Sequence, residues 1–404
     1  MKKILMITTM YPDPLRPGTE VCHYYSKEWA KMGYDVLVIN LRSMFPAIYT
    51  IIASLMPGLA HRYIGNHVEM DRNMNIINHV VDNIPVYSVP VFKYIPHRKY
   101  PKHSINKLIS TIINILNERN FLPDAIVGHF YNPTMEIIYR LKYYFPNSRT
   151  SIVFHESKPK VIIKNYSKDL NGILKSFNIV GFRNKGMQER MERYVGVFNK
   201  SFICYSGTHP VYLNTPRYFD RVYTNKPLSK FVYVGQFTEN KCVKETIKAL
   251  HSVYSDNYVL TCIGEGGPCL KEIKSYIMSN EIQNHVLFTG HIPRENIIRY
   301  YDENECLIMI SKSEAFGLVY LEAMSRGCIV IGTRGQGIDG VIIDGVNGFL
   351  CSGGNVEELA SVIGHINSLS SEEKMRISDN AINTARDFSD YNVAKNYIAA
   401  VFNS

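Results

Sequence analysis

Two glutamates eight residues apart, Glu314 and Glu322, bracket the part of the chain whose residue types suggest chemistry. Residues 306–310 form an apolar run typical of a buried strand, and a helical pattern resumes at Gly317, so Glu314 is predicted to lie in the turn between them. Glu322 would follow on the helix, and Gly327 would end it. Carboxylates at these two places could accept hydrogen bonds from hydroxyl groups of a ligand above the turn.

The start of this helix is predicted to bind an anion. The backbone N–H groups of Gly317, Leu318 and Val319 have no partner within the helix, and the helix dipole adds about half a positive charge there. A diphosphate fits this arrangement. Glu322 could then accept both hydroxyls of a ribose, and Glu314 the hydroxyls of a sugar attached to the phosphates. The alternative is a solvated helix face, because glutamates at this spacing also occur by chance; the strand-turn-helix context favours a nucleotide-sugar site.

Composition indicates a globular chain of two domains. It has 404 residues, of which 46% are hydrophobic and 20% charged, enough to bury two cores. Eight cysteines are scattered and never form Cys-x-x-Cys. This pattern favours reduced core thiols over metal ligands or disulfides. The apolar start of the chain is too short for a signal peptide and is predicted to be a buried strand.

Charge is uneven along the chain. Residues 1–213 carry 27 Lys and Arg against 14 Asp and Glu, whereas residues 214–404 carry 18 against 22. Residues 45–57 form an uncharged segment with helical apolar spacing, too short to span a bilayer, and residues 93–103 mix cations with aromatics. Together they predict a peripheral site on an anionic membrane; a buried helix with a solvated basic loop is the alternative. We expect no nucleic-acid partner, because no recognised motif accompanies these charges.

Strand-like runs alternate with helical patterns in both halves, which predicts an α/β fold with parallel sheets covered by helices. Residues 206–230 are rich in Pro, Thr, Asn and Tyr, show no periodicity, and are predicted to be a linker. The pattern restarts at residue 231. An amphipathic helix is predicted from residue 388 to near the end of the chain.

Residues 311–327 resemble the signature of the group 1 family of retaining, nucleotide-sugar-dependent glycosyltransferases, and the resemblance extends more loosely over most of the chain. It implies two Rossmann-like domains facing each other across a cleft, the GT-B type, with the last helix returning to the first domain. The implied domains are an acceptor-side domain, an interdomain linker, a nucleotide-sugar-binding domain and the returning helix, at 1–205, 206–230, 231–387 and 388–404.

The same resemblance suggests catalytic residues in both halves. His155 directly follows a predicted strand and resembles the family histidine that reaches towards the donor sugar and its phosphate. With Glu314 it is our candidate for catalysis, although a purely structural histidine is the alternative. His129 follows another strand, and its role in the family is more often structural.

Donor binding is expected mainly from the second half. Gly235, Gln236 and Lys241 match the family's phosphate-binding loop, except that its usual arginine is Gln236 here. Glutamine offers a neutral amide in place of a charged fork, so Lys241 would be the main cation. In the first half, one glycine stands where the family has two, and an ordinary turn is the alternative there. The resemblance assigns donor binding to Glu322, Lys241, Gly235, Gln236, Phe316, Gly317, Leu318, Val319, Ile292 and Gly18.

The expected function is transfer of a sugar from a nucleotide diphosphate to a glycan or lipid-linked acceptor with retention, in surface polysaccharide biosynthesis. The expected location is cytoplasmic and peripheral on the inner face of the cytoplasmic membrane. No cofactor is expected, and no metal, because there is no Asp-x-Asp near a strand end and no cluster with ligand spacing. A nucleotide-sugar epimerase and a catalytically silent nucleotide-binding partner are the alternatives. The glycine-rich turn at 264–267 lacks the third glycine of a nicotinamide-binding fingerprint.

Overall fold

The structure, a computed structural model, describes residues 1–14, 20–49, 51, 74–95, 98–155, 159–166 and 170–404. The described chain divides into two compact units. The first unit comprises Met1–Arg183, Met187–Cys204 and Ala394–Ser404, and the second comprises Asn184–Gly186 and Tyr205–Val393.

The first unit is built on an eight-stranded sheet in which only the β3–β4 pair is antiparallel. Its spatial order is β3-β4-β2-β1-β5-β6-β7-β8. The central strands are buried almost throughout, as expected for parallel strands covered on both faces. The strands are β1 Lys3–Thr8, β2 Asp35–Met44, β3 Ile77–Val81, β4 Ile84–Phe92, β5 Ala125–His129, β6 Arg149–Phe154, β7 Ile179–Phe182 and β8 Ser201–Ile203.

Helices of the first unit cover this sheet, and they include most of the last helix of the chain. That helix runs from Asp390 to Phe402 and belongs to the first unit from Ala394 onward. Trp29 Nε1 donates to the carbonyl of Ala394 at 2.8 Å, and the Trp29 ring packs edge-on against Tyr397. The helices are α1 Val21–Lys31, α2 Lys102–Glu118, α3 Tyr131–Leu141, α4 Pro159–Tyr166, α5 Leu170–Ser176 and α6 Lys185–Val195.

The second unit contains a six-stranded, all-parallel sheet in the order β11-β10-β9-β12-β13-β14. Two parallel-rich sheets covered by helices confirm the predicted α/β class. The strands are β9 Lys230–Val234, β10 Val259–Ile263, β11 Val286–Gly290, β12 Cys306–Ile308, β13 Ile329–Thr333 and β14 Phe349–Cys351. The helices are α7 Pro210–Asn214, α8 Val243–Val253, α9 Leu270–Ser279, α10 Arg294–Glu303, α11 Leu318–Ser325, α12 Val356–Ser368 and α13 Ser371–Asp387. The last helix, α14 Asp390–Phe402, begins in this unit and belongs to the first unit from Ala394 onward.

The segment 206–230, predicted to be a linker, is packed onto the second unit. Tyr212 and Tyr223 are buried in the core of that unit. Arg326, fully buried and paired with Asp302 through two hydrogen bonds of 2.8 and 2.7 Å, also donates to the carbonyls of Tyr212 and Thr215. The buried tyrosines, together with the hydrogen bonds from Arg326, therefore attach this segment to the second unit.

The first residue of the predicted basic segment, Lys93, lies just beyond the end of β4 and is buried. Lys93, counted among the surface cations, is 6% exposed and lies 4.6 Å from the ring centroid of Tyr100. Burial lowers the pKa of Lys93 to about 8, so this residue is not a solvated surface charge. None of the helices in the described ranges combines the length and apolar character needed to cross a bilayer.

Candidate functional site

Three loops that leave the carboxyl ends of β9, β10 and β11 are tied together by backbone hydrogen bonds. Gly235 N donates to the carbonyl of Ile263, and Gly264 N donates to that of Gly290, both at 2.9 Å. A Cβ on Gly264, whose φ is +145°, would lie 2.1 Å from the carbonyl oxygen of Gly235. Only glycine allows this approach. The three loops therefore form one edge, where open α/β sheets bind their ligands.

Lys241 and Glu314 meet at this edge, although they are 73 residues apart in the chain. Lys241 ends a 3₁₀ turn, Glu239–Lys241, and its Nζ lies 2.5 Å from Oε2 of Glu314. Their side chains are 23% and 16% exposed, so the pair is accessible from one side. The structure thus brings together the cation predicted for phosphate and the carboxylate predicted for sugar.

The turn that carries Glu314 is held from two sides by residues that the sequence did not single out. Asn240 Nδ2 donates to the carbonyl of Ser313 at 2.8 Å. On the other side, Glu314 N donates to the side-chain oxygen of Gln336 at 3.1 Å, and Gly337 N donates to the carbonyl of Glu314 at 3.0 Å. All three partners, Asn240, Gln336 and Gly337, lie at least 22 residues from the turn in sequence. Their residue types alone do not indicate that they contact the turn of Glu314.

The helix α11 starts at Leu318, one residue later than expected, after Gly317 with φ of +84°. Within the described part of the chain, no side chain caps its N-terminus. Phe316 is buried, with its ring centroid 6.0 Å from that of Tyr205, while Leu318 and Val319 are half-buried. An anion-binding helix start needs such an uncapped first turn.

Glu322 lies on α11 with its side chain only 8% exposed. Oε1 accepts a hydrogen bond from Arg294 Nη2 at 3.1 Å, and Oε2 accepts one from the hydroxyl of Tyr301 at 3.0 Å. Burial raises the pKa of Glu322, and Arg294 and Tyr301 oppose that rise. Both partners come from α10. Sequence reasoning missed them because the contact depends on how α10 packs beside α11.

Gln236 is exposed, and its backbone carbonyl accepts a hydrogen bond from the hydroxyl of Tyr233 at 2.8 Å. Lys312 lies beside the same loop, because its Nζ is 2.9 Å from Oε1 of Glu239. This lysine is a second cation beside the loop that carries Lys241. Ile292 is half-buried and packs against the core of the second unit.

The remaining candidates belong to the first unit. His155 is half-buried, stacks on Phe130 and has its Nε2 3.0 Å from Nδ1 of His129, the last residue of β5. Burial, with Arg183 nearby, lowers the pKa of His129 to about 3 and holds that of His155 well below its usual value. Both imidazoles are therefore neutral at pH 7. Gly18 lies outside the described residues.

Within the described ranges, no group of three or more His, Cys, Asp or Glu side chains could hold a metal ion. All eight cysteines are free thiols.

Comparison with known proteins agrees with this geometry. Residues 216–384, which contain the edge and α11, match the family "Glycosyl transferases group 1". The chain is 31% identical over 130 residues to N-acetyl-alpha-D-glucosaminyl L-malate synthase of Bacillus anthracis, an alignment that covers 32% of this chain and 33% of that protein. It is 22% identical over 361 residues to the putative teichuronic acid biosynthesis glycosyltransferase TuaC of Bacillus subtilis, covering 83% and 82%. The crystal structure of Anabaena HepE in complex with UDP superposes with a TM-score of 0.67 at 16% identity, covering both chains completely.

The matched segment and the two parallel α/β units together define the class of protein. Residues 216–384 carry the group 1 glycosyltransferase domain, and the chain has the GT-B fold.

Proposed function

We propose that this chain transfers a sugar from a nucleotide diphosphate to a glycan or lipid-linked acceptor, with retention of configuration, in surface polysaccharide biosynthesis. The observation that carries the proposal is the Lys241–Glu314 pair beside the uncapped start of α11, with Glu322 one and a half turns further on. The UDP bound to HepE and the teichuronic acid role given to TuaC support a nucleotide donor and a polysaccharide product.

In this proposal the second unit binds the donor by its charged and hydrogen-bonding parts. Lys241 and the backbone N–H groups at 317–319 stabilise the diphosphate as negative charge develops on it. Glu322 accepts the ribose hydroxyls, and Glu314 accepts hydroxyls of the donor sugar. Diphosphate binding draws Lys241 towards phosphate, which releases Glu314 for the sugar.

His155 contributes as a neutral group. Because its pKa lies well below neutrality, it acts as a hydrogen-bonding imidazole towards the donor sugar and adds no charge to the diphosphate. The half-buried ring is held by Phe130 and His129, which limits the directions in which it can bond.

Binding of nucleoside diphosphates tests the donor site. A thermal-shift screen identifies the preferred base, and calorimetry then compares Glu322→Ala and Lys241→Ala with the wild type. Each substitution removes a charge-assisted hydrogen bond of about 1.5–3 kcal/mol, so affinity should fall about tenfold or more. Lys244→Ala is the control, because Lys244 pairs with the exposed Glu272 on a neighbouring helix. Unchanged affinity in both site variants would reject the assignment.

A catalytically silent nucleotide-binding protein is the second candidate, favoured by Gln236 in place of the family's arginine. Such a protein binds the nucleoside diphosphate but turns over no donor. An epimerase would change the donor sugar in the absence of any acceptor, which product analysis detects.

Peripheral attachment to an anionic membrane is a further part of the proposal. Residues 45–49 and 51 follow β2 and residues 93–95 follow β4, and these strands pair in parallel with Met44 opposite Phe92. The two segments therefore leave the first unit side by side. They expose apolar side chains, with Ile48, Ile51, Tyr94 and Ile95 between 52% and 59% exposed. Residues 52–57 of the predicted apolar helix lie outside the described residues.

A further inference from the structure

Arg294 is bonded in a way that fixes its direction. The guanidinium lies 5.5 Å from the ring centroid of Tyr212, and its Nε donates to the hydroxyl of that tyrosine at 3.3 Å. The Tyr212 hydroxyl in turn donates to the backbone carbonyl of Arg294 at 3.3 Å. Its Nη2 donates to Oε1 of Glu322 at 3.1 Å. A planar fork held at two points presents its third bond in a defined direction, which the flexible ammonium of lysine cannot do.

The carboxylate of Glu322 receives protein hydrogen bonds on both oxygens. Arg294 donates to Oε1 and Tyr301 to Oε2. Each carboxylate oxygen can accept two hydrogen bonds. The hydroxyl of Tyr212 also hydrogen-bonds to this carboxylate, so the protein takes at most three of the four acceptor positions and acceptor capacity remains for the ribose.

We infer that Arg294 is a positioning residue for the nucleotide: it turns the Glu322 carboxylate so that its remaining acceptor capacity faces the ribose hydroxyls. This inference rests on the proposed function, because it assumes that Glu322 binds ribose. Arg294 itself acts through Glu322 and need not touch the nucleotide.

Arg294 has a second consequence for Glu322. A buried carboxylate tends to take up a proton, and a protonated Glu322 could no longer accept from both hydroxyls. The groups facing it are Arg294 and Tyr301 from α10 and Tyr212 from α7. Arg294 is the positive one among them. Burial raises the pKa of Glu322 and Arg294 opposes the rise, so removal of Arg294 should raise this pKa further.

The protonation state of Glu322 determines how nucleotide affinity depends on pH. Nucleotide affinity is present above the pKa of Glu322 and is lost as pH falls through it. Without Arg294, the loss should begin at a higher pH than in the wild type. Lysine at this position would keep the charge, and hence the wild-type pH profile, but not the fixed direction.

Calorimetry on the full chain tests the inference, with the ribonucleoside diphosphate that stabilises it most and the 2′-deoxy form of the same compound as probes. Wild type, Arg294→Met and Arg294→Lys are compared between about pH 5.5 and about pH 8.5. In Arg294→Met, affinity for the ribonucleotide should fall about tenfold as the pH decreases across this range, and it should change less in the wild type. The preference of Arg294→Met for the ribonucleotide over its deoxy form should also be smaller than that of the wild type. Arg294→Lys should restore the pH profile but not the full preference.

Two further variants separate positioning from general damage. Arg299→Met is the matched control on the same helix, because Arg299 is 64% exposed and forms an ion pair with Glu303. This variant should bind both nucleotides as the wild type does. Tyr301→Phe removes one hydroxyl without changing shape and should shift the pH profile in the same direction as Arg294→Met, which keeps the test valid if that variant folds poorly.

Other results would overturn the inference. Tighter binding by Arg294→Met at every pH would mean that the ion pair competes with ribose. An unchanged pH profile and unchanged ribose preference in Arg294→Met and Tyr301→Phe, with Glu322→Gln weakened, would reject the positioning role alone. Absence of nucleotide binding in the wild type would reject the proposed function and the inference with it.

Discussion

At the residue scale, the central feature is that the side chains proposed to bind the donor are hydrogen-bonded to neighbouring side chains. Lys241 is paired with Glu314, and Glu322 is held by Arg294 and Tyr301. The bonds to Glu322 reduce the cost of ordering that side chain on binding, whereas the Lys241–Glu314 pair must open when phosphate binds. Glu314 and Glu322 were predicted from spacing and context, and Lys241 from the family resemblance. Arg294 and Tyr301 were not, because 28 and 21 residues separate them from Glu322 and only the packing of α10 brings them near.

Glu314 and His155 should affect turnover far more than nucleotide binding. Both are proposed to touch the donor sugar, which free nucleoside diphosphate lacks. In Glu314→Ala and His155→Ala, transfer should fall about a hundredfold or more while affinity for the free nucleotide stays close to that of the wild type. Steady-state rates and calorimetry on the same preparations provide the check.

The control for these variants is Glu272→Ala, which removes an exposed carboxylate paired with Lys244. Wild-type transfer by either site variant would remove that residue from the reaction centre. A variant that loses nucleotide affinity and transfer equally would belong to the nucleotide-binding residues.

At the element scale, the site depends on loops that join at the ends of strands. The alternation of strands and helices was readable from apolar runs, but the strands extend beyond the runs: β2 spans Asp35–Met44, whereas the uninterrupted apolar run covers only residues 36–39. Its outer residues are fixed by pairing with β4, a long-range contact that local composition does not encode. The support that Gln336 and Gly337 give to the turn of Glu314 was hidden for the same reason.

Gly337→Ala tests whether this support matters for binding. A Cβ at position 337 would lie 2.3 Å from Cα of Phe316, a backbone atom, so the turn must shift. Overpacking of this kind costs about 1–3 kcal/mol of stability, and displacement of Glu314 and the start of α11 should weaken nucleotide binding about tenfold. Thermal unfolding and calorimetry measure the two effects.

Gly364→Ala is the matched substitution, because a Cβ there meets nothing within 4 Å and the position lies inside α12. It should leave binding unchanged and stabilise the helix by up to about 1 kcal/mol. If Gly337→Ala binds nucleotide as tightly as Gly364→Ala, the loop does not position the site.

At the scale of the whole molecule, each unit has its own sheet and core, and the candidate residues are divided between them. Two α/β units were predictable from length and from the restart of the pattern at residue 231. The attachment of residues 206–230 to the second unit could not be predicted, because the buried tyrosines of this segment show no periodicity and Arg326, which bonds to it, is more than 100 residues away in sequence. Lys93 illustrates the same limit, since its sequence context suggested solvent and the fold buries it.

Membrane attachment through the first unit is a prediction at this scale. Protein should sediment with anionic vesicles and much less with neutral ones, because each surface cation contributes about 1 kcal/mol, screened over about 8 Å at physiological salt. High salt should release only part of it, since the apolar side chains do not depend on charge. Ile48→Asp with Ile51→Asp should abolish the salt-resistant part, while Val222→Asp, on an exposed valine of the second unit, should not. No sedimentation with anionic vesicles at low salt would end the membrane proposal.

The most direct test of the account is turnover of a panel of nucleotide diphosphate sugars, with the released nucleotide quantified and the anomeric configuration of the product read by proton NMR. The account predicts that at least one donor is consumed, that Glu314→Ala abolishes the consumption, and that the product keeps the donor's anomeric configuration. An inverted product would contradict the retaining mechanism, and nucleotide binding without consumption of any donor would contradict the assignment of this chain as an active transferase.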